Sequence, residues 1–294
     1  MDKNKQQLII PGLYLVSTPI GNIEDITLRA LNILKKSDII LCEDTRRSGT
    51  LLSYFGIKKK LIPYHKFNEK KISNNIIDTI KNNKIVSMIS DAGTPLISDP
   101  GLVLVKRCNS ENLNVFPIPG PSSITAAISV AGFSENFLFC GFLAKKESAL
   151  EKSLKNLSIL NYSIVFFIPA VKINYYILKF KKYFQDRGIV IAREMTKVHE
   201  EFIRGQVKTI KEFPKGLKGE LTVVLSEKIV EKSAKKEVAE SVKIEIKKML
   251  KRYSNKDIVE YISKKENLPK KIIYNFCLKY KKKIWKKILF YLLF

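Results

Sequence analysis

Short apolar blocks punctuated by glycine, proline and small polar residues set the rhythm of the first 130 or so positions. Residues 13–16, Ile39–Cys42, 61–64, 85–89 and 113–118 are compact runs rich in strand formers. Between the first two runs, Leu28, Leu31 and Leu34 recur at helical spacing and predict a helix over residues 25–36. The fourth run breaks into Asp91-Ala92-Gly93-Thr94-Pro95, and Asp99-Pro100-Gly101 then forms a second turn that starts the next helix. The fifth run ends in Pro119-Gly120-Pro121-Ser122-Ser123 and a small-residue helix over 124–131. Repeated strand, bent loop and helix predict a parallel sheet with crossover helices, with ligands held outside the carboxyl ends of its strands.

After Gly132 the pattern changes. Phe137–Phe142, 163–168, Gly188–Arg193, 200–204 and Glu220–Leu225 read as strands with fewer helices between them, which predicts a mixed sheet. Residues 1–132 are therefore expected to form an α/β domain and 133–227 a second one. Residues 228–294 contain no glycine and are expected to form a helical region. There Ser254 is placed to cap a helix over 257–264, and Pro269 to open another that carries Ile272, Ile273, Phe276 and Tyr280. The pair resembles a helix-turn-helix with Lys270, Lys271, Lys279 and Lys281–Lys283 on its second helix, a pattern that small helical subdomains share.

Charge sharpens this division. The 294 residues carry a formal net charge of +25. Residues 228–294 hold 20 Lys and Arg against 7 Asp and Glu, so half of the excess lies in less than a quarter of the chain. Such a charge suggests a polyanionic partner such as nucleic acid, or an anionic membrane surface. A bias toward lysine, isoleucine and asparagine can arise without selection for binding, but that concentration favours a basic appendage over a uniform bias. Four scattered cysteines without a C-x-x-C and two histidines offer no metal-ligand cluster and fit reduced thiols in a cytoplasmic protein. The opening residues lack a secretory hydrophobic segment. The apolar stretch 284–294 is shorter than the ~20 residues of a membrane span and reads as a docking tail.

Three strand-end loops, 17–22, 91–95 and 120–123, are expected to converge. The chain has neither G-x-G-x-x-G nor G-x-x-x-x-G-K-[ST], which counts against dinucleotide and P-loop sites. What the loops offer (backbone donors, small hydroxyls, one carboxylate) suits a zwitterionic nucleoside better than a polyphosphate.

LYLVSTPIGNIEDITLRALNILKKSDIILCEDTRRSG over residues 13–49, SDAGTPLISDPG and PIPGPSSITAAISVAGF closely resemble the ribosomal RNA small subunit methyltransferase I family of the tetrapyrrole methylase superfamily. FCGFL, REMTK, FIRG and Lys218-Gly219-Glu220 continue the resemblance, although Ala144 stands where the family usually has proline. The resemblance implies a two-domain tetrapyrrole-methylase-like α/β fold (class III methyltransferase). It would have a parallel-sheet N-terminal domain, a mixed-sheet second domain and a small basic helical C-terminal appendage. It also implies S-adenosylmethionine as cofactor, 2′-O-methylation of a cytidine in 16S ribosomal RNA, small-subunit rRNA or the assembled 30S subunit as partner, and a homodimer. Carried over by position, Asp91 and Thr94 flank the methionyl part of the cofactor and Ser122, Ser123 and Thr125 hydrogen-bond it. Ile20, Pro169, Ala170 and Gly219 border the adenosine. For Ser122 and Ser123 helix capping is the competing role, and for Ile20 core packing. Glu43, Asp44 and Glu194 are candidate bases for the hydroxyl, and Arg46, Arg193 and Lys197 candidate substrate contacts. Asp44 beside Arg46 and Glu194 beside Arg193 read equally well as local ion pairs. The alternatives are a tetrapyrrole C-methyltransferase, disfavoured by the charge, and a non-enzymatic RNA-binding protein on the same fold.

Overall fold

The computed structural model of the chain describes residues 8–228, 238, 240–266 and 268–293, with side chains as far as 282. Two compact units emerge, Met1–Ile229 and Val230–Phe294.

The first unit opens with five strands, β1 (Gly12–Val16), β2 (Ile39–Cys42), β3 (Lys60–Pro63), β4 (Ile85–Met88) and β5 (Val115–Ile118). All are parallel, in the order β3-β2-β4-β1-β5. Helices α1 (Leu28–Lys36), α2 (Thr45–Tyr54), α3 (Glu69–Lys81) and α4 (Leu102–Ser110) make the crossovers. Right-handed crossovers put α1 and α2 on one face and α3 and α4 on the other, and the cores agree. Ile33, Leu34 and Leu52 pack with Val16 and Ile40, whereas Ile76, Ile77 and Leu104 pack with Leu13, Leu41 and Val86. β1 hands the chain leftward to β2 and its neighbour β4 hands it rightward to β5. Their carboxyl ends therefore flank a topological switch point, where open sheets bind ligands. The helix expected over 25–36 is split. Asn22 Oδ1 accepts from Glu24 N–H at 3.0 Å to start a 3-10 turn, and Thr27 Oγ1 accepts from Ala30 N–H at 3.1 Å to start α1.

The second sheet runs β6 (Phe137–Phe142), β7 (Ser163–Pro169), β10 (Glu220–Leu225), β8 (Gly188–Arg193) and β9 (Glu201–Gln206) across its width. Of its described pairings, β6 with β7 is parallel and the rest are antiparallel. Its strands alternate between two buried faces. Ile164, Phe166, Ile189, Ile191 and Val223 meet α6 (Glu147–Ser158) and α7 (Ile173–Tyr183), while Val165, Val190, Ala192 and Val224 face the other way. That face meets α5 (Ser123–Ala131), whose Ile124, Ala127 and Ala131 are small enough for close approach. So the sparse helices expected in this half are in fact two full ones covering an entire face. The helix α5, which leaves the first sheet, packs on the second, and Gly132 at φ +66° ends it in a left-handed cap.

Arg187 sits beneath the second sheet, 0% exposed. Its Nη1 donates to Tyr162 O at 2.8 Å and Ser226 O at 2.7 Å, and its Nη2 donates to Ser158 O at 3.5 Å and to Leu160 O. The guanidinium thus satisfies carbonyls past the end of α6 that have no helical partner, with a charge of the sign that a helix C-terminus favours.

The second unit contains α8 (Glu240–Met249), α9 (Asn255–Glu266) and α10 (Lys270–Leu293). Ser254 Oγ accepts from Asp257 N–H at 3.3 Å, as a capping serine should. Val242, Ile246, Ile258, Ile262, Ile273 and Cys277 make its core. Lys264, Lys270, Lys271, Lys279, Lys281 and Lys282 are exposed. At 24 residues α10 is far longer than a recognition helix needs to be. The side chains of Lys283 and of 284–294 lie outside the described residues, and so does the docking role expected of that stretch. No helix among the described residues is long and apolar enough to cross a membrane.

Candidate functional site

Three loops meet at the switch point, each pinned to the next. Thr18 and Gly93 exchange backbone hydrogen bonds, Thr18 N–H to Gly93 O at 2.9 Å and Gly93 N–H to Thr18 O at 3.0 Å. Ser17 Oγ lies 2.9 Å from Thr94 Oγ1, and Thr94 Oγ1 donates to Pro121 O at 3.3 Å. A Cβ on Gly120 would fall 2.9 Å from Ser17 Cβ, so only glycine allows the third loop this close to the first. Between Gly93 and Gly101 the backbone takes the left-handed region repeatedly, at Leu96 (φ +70°) and Ser98 (φ +72°), a concentration of strain of the kind found at functional loops.

The loops and the ends of β6, β7 and β10 enclose a cleft of roughly 320 Å³, a size that suits a small-molecule ligand. Ile20, Ile97, Ile124, Phe142, Phe167, Pro169, Met195 and Leu221 give it apolar walls, and Thr94, Ser98, Ser122, Ser123 and Thr222 supply hydroxyls. Among the described residues, the ionisable groups that line it are two carboxylates, Asp99 and Glu220.

Burial pushes the Asp99 carboxyl up to about 6, with the Glu43 and Asp91 charges adding to the effect and Ser90 and the distant cation of Lys66 opposing it. The folded state therefore favours the protonated acid more than the unfolded chain does. The contribution to stability is full below pH 4 and is lost as pH rises through 6. Asp99→Asn should accordingly be more stable than the parent at pH 8, by about 1–2 kcal/mol after allowance for solvent screening. Urea unfolding at pH 4.5 and 8 checks this, and the gap should close at the lower pH.

The residues singled out from the sequence fall into four groups. Ile20, Thr94, Ser122, Ser123, Pro169 and Gly219 line the cleft. Ser122 stands at the N-cap of α5 but makes no side-chain capping bond, and Ile20 both lines the cleft and packs on the core beneath α5. Asp91 and Lys197 line an adjoining cleft together with Arg47 and Glu220. Glu43 lines a small crevice on the far side of Asp99.

The remainder are engaged elsewhere. Thr125 Oγ1 donates to Ser122 O at 3.1 Å from an exposed position, and Ala170 is buried in the core under α7. Asp44 caps α2, accepts Arg46 N–H at 2.9 Å and pairs with the Arg46 guanidinium at 2.7 Å, which holds its carboxyl well below the usual range. Glu194 accepts Glu220 N–H at 2.8 Å and Lys197 Nζ at 3.0 Å, and its carboxyl is lowered chiefly by that backbone bond. Carboxylates so committed are weak proton acceptors. Arg193 Nε donates to Lys218 O at 2.9 Å, and its Nη1 meets Glu201 at 3.1 Å.

Sequence reasoning passed over Ile97, Asp99, Phe142 and Met195, although each lies inside a motif it had marked. Phe142 is 63% exposed and reaches the cleft because a bulge between Phe139 and Gly141, with Gly141 at φ +64°, re-aims the end of β6. The glycine in FCGFL was the available signal.

Comparison with known proteins bears on the fold and the family. A family profile described as Tetrapyrrole (Corrin/Porphyrin) Methylases matches residues 12–211. The Ribosomal RNA small subunit methyltransferase I of Thermotoga maritima is 45% identical over 219 residues, covering 74% of this chain and 98% of that protein. The protein of the same name from Rickettsia prowazekii is 41% identical, covering 87% and 97%. Among solved structures, uroporphyrin-III C-methyltransferase from Thermus thermophilus complexed with S-adenosyl homocysteine covers 74% of this chain and 97% of its own, with a TM-score of 0.52 at 15% identity. The methyltransferase CobJ covers 74% and 94%, with a TM-score of 0.56 at 15% identity, so these two speak for the fold. On its parallel sheet, its mixed sheet and its sequence, the chain belongs to the ribosomal RNA small subunit methyltransferase I family of the tetrapyrrole methylases.

Proposed function

We propose that the chain transfers the methyl group of S-adenosylmethionine to the 2′-hydroxyl of a cytidine in small-subunit ribosomal RNA. The observation that carries this reading is the charge of the first cleft, which has two carboxylates and no cation among its described lining residues. A sulfonium amino acid is drawn to such walls and a polyphosphate is repelled. Asp99 fits that need, because a partly buried carboxylate with no cation beside it in the cleft gains most from a cationic ligand. Thr94, Ser122 and Ser123 would hold the polar part of the cofactor. Ile20, Pro169, Gly219 and the exposed ring of Phe142 would border its adenosine.

When bound, the cofactor supplies a methyl group already activated by the positive sulfur. The protein's residues then have two tasks, to orient a ribose hydroxyl and to accept its proton. Asp44 and Glu194 are held by short bonds to neighbouring donors. Asp91, which lines the adjoining cleft, is held more loosely, accepting Asp44 N–H at 3.2 Å and meeting Arg47 at 3.5 Å, so it is the acid best placed to take that proton. The relatives' shared name and the net charge of +25 support an RNA substrate. Incubation with tritiated S-adenosylmethionine and either free 16S transcript or 30S subunits should label one cytidine ribose. Label confined to bases, or absent, overturns the reading.

The basic helical unit supplies a second expected result. Deleting residues 230–294 should weaken rRNA binding and flatten its salt dependence, by about 0.7–0.9 in log–log slope for each phosphate that is no longer neutralised. S-adenosylmethionine affinity should stay as it is. Filter binding across a salt series checks this, and an unchanged slope would remove the unit from the RNA interface.

A further inference from the structure

The second cleft, also roughly 320 Å³, lies across a thin wall from the first. Ile20, Ala92 and Glu220 line both. Unlike the first, it carries cations, Arg47 and Lys197, and it is more open. The two cations differ. Lys197 Nζ is held between Glu194 and Glu220, at 3.0 Å from each. Arg47 has a side chain 69% exposed, and its ion-pair partner among the described residues is Asp91, at 3.5 Å. One buried hydroxyl in the lining has no oxygen or nitrogen partner among the described residues. Ser48, on α2, is 3% exposed, and its Oγ has no hydrogen bond among the described residues, with only the soft thiol of Cys42 beside it. A buried hydroxyl left in that state at a cleft wall is suited to bond a ligand's polar atom.

We propose that this second cleft receives the target nucleotide, its ribose against Ser48 and Asp91 and its flanking phosphate at Arg47. The inference rests on the first cleft being the methyl-donor site, since the shared wall of Ile20 and Ala92 then separates donor from acceptor. Ser48 Oγ and the Asp91 carboxylate can together accept from and donate to ribose hydroxyls. Arg47 supplies the phosphate contact that positions a backbone without reading its sequence. Recognition of the cytosine ring itself would then fall to Thr50 and the neighbouring rim of α2.

The test is a substitution that fills this cleft from its rim. Thr50→Trp should leave S-adenosylmethionine affinity within about twofold of the parent by calorimetry. It should weaken binding of a full-length small-subunit rRNA transcript about tenfold, with S-adenosylhomocysteine present and the thermal midpoint unchanged. Arg47→Gln, on an exposed side chain that does not threaten folding, should lower the salt slope of that binding by about 0.7–0.9, the share of one phosphate. RNA binding that neither variant alters overturns the proposal. So does loss of cofactor affinity in Thr50→Trp, which would make the second cleft an extension of the first. A parent protein that binds S-adenosylmethionine but methylates no rRNA would instead sink the donor reading, and the two failures are told apart by the wild-type control.

Discussion

Gly219→Ala should reduce S-adenosylmethionine affinity by two orders of magnitude, about 2.7 kcal/mol, while leaving the protein folded. Gly219 lines the first cleft at φ +94°, a conformation that costs an L-residue roughly 1–3 kcal/mol. A methyl there would also stand 2.4 Å from Glu194 Cδ and 2.5 Å from its Oε1. That carboxylate cannot simply swing aside, because it accepts Glu220 N–H and Lys197 Nζ. Either the turn before β10 moves into the cleft or the Glu194 bonds break, and both spoil the cleft's edge. Calorimetric titration of the variant checks this, and the double variant Gly219→Ala, Glu194→Ala should recover part of the loss because the clashing partner is gone. Affinity of the single variant within twofold of the parent would show that this corner does not shape the donor site.

Arg187→Met has the largest expected effect on stability, a loss of roughly 3–5 kcal/mol. Methionine replaces the apolar stem and tolerates burial, yet it donates nothing. The carbonyls of Ser158, Leu160, Tyr162 and Ser226 would be left inside the protein without their donor. Arg187→Lys should recover only a fraction, since one ammonium cannot reach carbonyls arranged around a planar fork. Urea denaturation measures both, and a cost under about 1 kcal/mol for the methionine variant would show that water takes over the carbonyls.

The strands were the most legible part of the chain. The central strands of both sheets are buried on two faces, so they are written as continuous apolar runs that stand out from lysine- and asparagine-rich surroundings. Helices hid better. In α3 the buried stripe of Ile76, Ile77 and Ile80 is interrupted by Ser73, which is 0% exposed and bonded to Tyr64, and by exposed asparagines of low helix propensity. The site followed the same logic. Gly93, Gly120 and the prolines announced the converging corners through backbone requirements, which sequence records directly. Asp99 was legible only as part of a turn, because its character comes from burial beneath a loop held by left-handed Leu96 and Ser98. No local propensity marks those two residues, and only the folded chain shows what they cover.

Relatives match this chain over different shares of its length. The Thermotoga maritima relative matches this chain over almost all of its own length while leaving about a quarter of this chain unmatched. The Rickettsia prowazekii relative matches further, to 87% of the chain.

Helix α5 leaves the first sheet through the Gly120 corner and buries Ile124, Ala127 and Ala131 against the second. One rod therefore rivets two plates together, and levering them apart about a hinge would tear apolar surface from both. The width of the first cleft is therefore set by packing and not by a hinge. Amide hydrogen exchange should be slow throughout α5.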